Sequence, residues 1–157
     1  MSNLPYAELQ VTSHFSFLRG ASSCEALFER ARDLGLPALG IADRNTLAGI
    51  VRAHQAAKET GVRLVVGCRL DLADGMSVLV YPMDRPAYAR LCRLLSLGKG
   101  RAGKGKCLLH FEDLAAYGEG FMAILVPDRA DETTRLHLAR MAATFGPRAS
   151  MALTLRR

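Results

Sequence analysis

Residues 35–54, GLPALGIADRNTLAGIVRAH, followed by residues 61–70, GVRLVVGCRL, decide the fold. Pro37–Ala42 is apolar without alternation, the pattern of a strand buried on both faces. Asp43 or Asn45 can cap the helix that follows, which the pattern carries to Thr60 and stops at Gly61. Val62–Leu72 is rich in β-forming residues and reads as the next strand. Strand, helix and strand in this order make a βαβ unit, and such units build a mostly parallel sheet.

Upstream, Tyr6–Thr12 reads as a strand ended by Ser13-His14. The loop FSFLRGASS (15–23) comes next. Ser22 stands three residues before Glu25, the spacing of a capping box, and the helix it opens carries Leu27, Phe28, Ala31 and Leu34 on one face until Gly35 closes it. Downstream, Ala73-Asp74-Gly75 turns the chain into Met76–Tyr81, giving a hairpin. Asp84 starts a helix with Tyr88, Leu91, Leu94 and Leu95, which Gly98 is expected to close. KGRAGKGK (99–106) then reads as a loop. A short helix over Glu112–Tyr117, a strand over Phe121–Val126, a helix over Asp131–Phe145 and a strand over Ala149–Leu155 complete the pattern. The class is therefore α/β, with about six strands, mostly parallel, and one hairpin. A closed βα barrel takes about 250 residues, so the alternatives are a small open sheet and a barrel whose strands run out before closure.

With 157 residues, half of them hydrophobic, the chain has the profile of a single globular domain and not of a disordered tail. No apolar run approaches the roughly 20 residues of a membrane span. The first 20 residues lack a secretion-signal layout, so a cytoplasmic location is expected. Cysteines 24, 68, 92 and 107 form no C-x-x-C pair and read as free thiols. The net charge of +6 is compatible with nucleic-acid contact without establishing it.

The segments LQVTSHFSFLRGASS, GLPALGIADRNTLAGIVRAH and GVRLVVGCRL, in this order and spacing, resemble the PHP (polymerase and histidinol phosphatase) domain. They are most similar to the version that opens the error-prone relatives of bacterial DNA polymerase III alpha subunits. The resemblance implies the amino-terminal part of a distorted seven-stranded α/β barrel, with residues 1–157 as a partial PHP domain and the polymerase catalytic domains absent. Metal-binding members of the family carry H-x-H on the first strand, an Asp in the following loop, a His after the second strand's Asp, and a Glu in G-x-E of the third. Such imidazoles and carboxylates hold divalent ions that activate water against a phosphoester. Here those positions fall on Gln10, Thr12, Arg19, Arg44 and Arg69. An amide and a hydroxyl are poor ligands, and guanidiniums repel divalent cations. The ligand positions are thus degenerate, and the chain is expected to hold no metal and no catalytic residue. Magnesium belongs, by the resemblance, to the absent polymerase domain.

Other candidates have ordinary readings. His14 is a loop-end histidine, and Asp43 is a helix cap or an ion-pair partner of Arg44. His54, His110 and His137 stand alone, and Ser22-Ser23-Cys24 reads as helix capping. Arg19, Arg44 and Arg69 either converge to bind a phosphate or an acidic side chain, or pair with local carboxylates such as Asp43 and Asp71. Between Arg85 and Lys106 there are seven Lys or Arg and no acid. Lys99, Arg101, Lys104 and Lys106 are candidate phosphate contacts, although the run lacks P-loop spacing.

The function implied is a non-catalytic module that scaffolds an error-prone, damage-induced translesion polymerase. The rest of the polymerase chain is its partner, DNA is reached through the parent enzyme, and the sliding clamp and mutagenesis accessory proteins are further partners. The alternatives are a stand-alone metal-dependent PHP phosphoesterase and a basic nucleic-acid-binding module.

Overall fold

The computed structural model describes residues 6–153. Among the described residues six strands and five α-helices follow in the order β1 (Glu8–Val11), α1 (Cys24–Asp33), β2 (Ala38–Arg44), α2 (Ile50–Thr60), β3 (Arg63–Asp71), β4 (Ser77–Pro82), α3 (Arg85–Arg101), α4 (Phe111–Tyr117), β5 (Phe121–Leu125), α5 (Glu132–Phe145) and β6 (Ala149–Met151). The sheet order follows the chain, β1-β2-β3-β4-β5-β6. Two units divide at Cys68/Arg69, with β3 running through the division.

In the first unit β1 and β2 are parallel. β2 is buried from Leu39 to Asp43, as its unbroken apolar run requires. Phe28 and Ala31 of α1 and Ala53 and Ala56 of α2 pack with Leu39 and Ile41 in one core. Two details differ from the sequence reading. Ser23, not Ser22, caps α1, its hydroxyl accepting from Ala26 N at 3.2 Å. Neither Asp43 nor Asn45 caps α2, because β2 continues to Arg44, Asn45 bends the chain at φ 52°, and the helix starts only at Ile50.

In the second unit the turn after β3 closes through Leu72 N to Met76 O at 2.8 Å and Gly75 N to Leu72 O at 3.0 Å. β5 pairs antiparallel with β4, from Val78 opposite Leu125 to Pro82 opposite Phe121, and β6 returns to the parallel sense beside β5. The antiparallel β4–β5 pair was not legible, since a helical connection ordinarily joins parallel strands. Asp84 and Asp131 cap α3 and α5 by accepting from Ala87 N and Thr134 N. The expected extension of the last strand to Leu155 lies outside the described residues beyond Leu153.

The largest correction concerns α3, which runs through Gly98 and Gly100 to Arg101 and so absorbs part of the expected loop. Gly98 is a packing residue, not a stop. A Cβ there would lie 2.6 Å from Cys107 Sγ and 2.7 Å from Leu109, and the Gly98 carbonyl accepts from Leu108 N at 2.9 Å. The absence of a side chain lets the returning segment lie against the helix.

Candidate functional site

At and after the carboxyl ends of β1 and β2 lie the first-unit residues that the resemblance places at metal positions. Gln10 is exposed near the end of β1, Thr12 is half-buried just after it, Arg19 is exposed on the following loop, and Arg44 is half-buried at the end of β2. Arg69 belongs to the second unit, where its Nε donates to Ser77 Oγ at 2.7 Å and lies 3.5 Å from Asp71. That contact is the local-carboxylate pairing open to it in the sequence.

Asp43 organises this end of the sheet. It is 2% exposed, and its Oδ1 accepts from Ser13 N at 2.8 Å and Ser16 Oγ at 2.7 Å. Oδ2 accepts from Ser13 Oγ at 2.7 Å. The serines accept in turn, Ser13 Oγ from Phe15 N and Ser16 Oγ from Arg44 N at 2.9 Å. Both serines are buried, and among the described residues no buried side-chain nitrogen or oxygen lacks a hydrogen-bond partner. Asp43 is therefore neither a helix cap nor defined by an ion pair with Arg44. It is a buried carboxylate satisfied by hydroxyl and amide donors, an arrangement a buried charge requires.

This network fixes the loop. Ser16 N donates to Ser13 O, and Arg19 N and Gly20 N both donate to Ser16 O. At Gly20 a Cβ would lie 2.2 Å from Ser13 O, so only glycine lets the returning strand of the loop pass. His14 stays exposed, stacked on Phe15 at 4.6 Å between ring centroids and bonded to Ser22 O. Burial pushes the Cys24 thiol upward, and it donates to Gly49 O, so the Ser22-Ser23-Cys24 cluster offers no activated nucleophile. Ser13 and Ser16 are the residues sequence reasoning missed. Their signal was the spacing S-x-x-S directly after a strand, with a carboxylate on the neighbouring strand in need of donors.

Among the described residues, no group of three or more His, Cys, Asp or Glu is placed to hold a metal ion. The donor set at the family's metal positions, amide, hydroxyl and guanidinium, does not fit a divalent cation.

The candidate phosphate contacts are divided between helix and loop. Lys99 and Arg101 lie in the last turn of α3, and Lys104 and Lys106 are exposed in the segment after it. Arg101 is committed to Asp113, whose carboxylate also accepts from His110 N at 2.9 Å. The guanidinium holds the Asp113 carboxyl below its ordinary value.

The PHP domain model matches residues 8–152, and the chain belongs to the PHP domain family. Among its relatives it is 65% identical over all of its 157 residues to Error-prone DNA polymerase 1 of Agrobacterium fabrum, where it covers 14% of that protein. It is 64% identical over 152 residues, 97% of the chain, to Error-prone DNA polymerase 2 of Rhizobium meliloti, again covering 14%. The error-prone DNA polymerase of Caulobacter vibrioides is 51% identical over 149 residues, 94% of the chain and 14% of that protein. The chain thus spans about one seventh of the length of these relatives. Among solved structures, an amidohydrolase from Chromobacterium violaceum superposes with a TM-score of 0.66 at 17% identity, over 92% of this chain and 75% of the other. At that identity the likeness shows the fold alone.

Proposed function

We propose that this chain is the amino-terminal PHP module of an error-prone DNA polymerase and that it scaffolds the polymerase without performing metal-dependent chemistry. The observation that carries this reading is identity of 60–65% along essentially the whole chain to error-prone DNA polymerases of which it covers 14%. The Asp43 network supports the non-catalytic part, because hydroxyls and an amide already occupy the carboxylate. Synthesis across damaged DNA, with magnesium held by polymerase carboxylates outside this chain, is the activity of the whole enzyme. Its setting is the cytoplasm, with the sliding clamp and mutagenesis accessory proteins as partners. Among the described residues no helix is long and apolar enough to cross a membrane.

Deleting the module from the full-length polymerase tests the scaffold role. The expected result is loss of polymerase stability and primer extension together. Undiminished extension by the shortened enzyme would sink it.

A smaller role in DNA contact is assigned to Lys99, Lys104 and Lys106, the three candidate cations left once Arg101 is committed to Asp113. Such contacts release counterions without reading sequence.

A further inference from the structure

Phe17 and Leu18 stand at the tip of the loop that Asp43 anchors, 84% and 86% exposed. Burying either side chain is favourable, so a freely adaptable loop would fold them inward. The backbone prevents this. Leu18 has φ 60°, a left-handed conformation unfavourable for any residue that carries a Cβ. Ser16, Arg19 and Gly20 amides bind back into the loop, and the loop base is held by the three hydrogen bonds to buried Asp43. The exposed Arg19 follows directly. An apolar pair, strained at Leu18, is thus held outward by a fixed base, with a cation beside it.

We propose that Phe17, Leu18 and Arg19 form a preorganised knob that docks the module onto the polymerase body of the same chain. The apolar pair enters a pocket there, and the Arg19 guanidinium meets a carboxylate at its rim. This rests on the reading of the chain as a polymerase module. Size favours that occupant over a second free copy. A stable interface between separate proteins buries about 800 Å² on each partner, far more than a two-residue tip supplies. A tethered partner needs less, because covalent connection holds it at an effective concentration on the order of 1 mM. Relatives of which this chain covers 14% provide the tethered surface. Fixing the knob before docking removes the ordering cost that a mobile loop would add.

The test uses full-length polymerase carrying this module, with Phe17→Ser/Leu18→Asn and, separately, Arg19→Glu, under limited proteolysis of the junction after the module. The isolated 157-residue chain serves as the control for folding. The expected result is an unchanged melting temperature for the isolated variants and release of the module roughly tenfold faster or more from the full-length double variant, with a smaller acceleration for Arg19→Glu. A wild-type module that resists release, with variants resisting it equally, overturns the knob while leaving the scaffold reading intact. A wild-type module released as fast as an undocked domain overturns the scaffold reading and the knob with it.

Discussion

Removing the Asp43 side chain would strand Ser13 N and the two serine hydroxyls inside the fold, where an unmet donor costs about 1–3 kcal/mol each. Asp43→Ala is therefore expected to destabilise the chain by at least about 3 kcal/mol in urea unfolding. Ser16→Ala removes one bond to the carboxylate and leaves Arg44 N without its hydroxyl acceptor, for about 2 kcal/mol. Destabilisation under about 1 kcal/mol by Asp43→Ala would show that the network does not hold the loop. Asp113 makes a pH-dependent case. Its folded carboxyl is depressed chiefly by Arg101, so the stability it contributes is present above the unfolded value of about 3.9 and is lost as pH falls through the lower folded value. Arg101→Ala is expected to flatten the acid limb of a stability profile measured below about pH 4, while leaving the neutral region parallel to wild type.

At the scale of elements, the two glycines near the end of α3 separate packing from propensity. Gly98→Ala places a methyl against Cys107 and Leu109 and is expected to cost about 1–3 kcal/mol despite alanine's helix preference. Gly100 has open space where a Cβ would go, so Gly100→Ala should gain up to about 1 kcal/mol. Equal effects from the two, in thermal unfolding, would contradict the packing account. The same position shows where sequence reading stops. Glycine after an apolar helical stripe ordinarily signals a C-terminus, and nothing local reveals that residues 107–109 return to lie against it. β2 was legible because burial on both faces leaves an unbroken apolar run. The antiparallel β4–β5 pairing was not, because the helical connection between the two strands ordinarily signals a parallel pair. At the site, the residues at the expected ligand positions are read from the resemblance alone. The partners of Asp43 were not legible, because they depend on how the loop folds back onto β2.

The PHP domain spans residues 8–152, and by the resemblance its expected metal positions fall on Gln10, Thr12, Arg19, Arg44 and Arg69. Neutralising Lys99, Lys104 and Lys106 in the full-length polymerase should weaken DNA binding uniformly across sequences. The slope of log affinity against log salt should fall by up to about 0.9 for each duplex phosphate that a lysine no longer neutralises. An unchanged slope would assign these lysines to solvent. Whether this PHP module lacks metal chemistry is decided by titrating the purified 157-residue chain with Mn²⁺ and Zn²⁺ by calorimetry and assaying the loaded protein for phosphoester hydrolysis. The expected result is no stoichiometric binding and no turnover above the metal-free background. One or more tightly bound ions per chain accompanied by hydrolysis would contradict it.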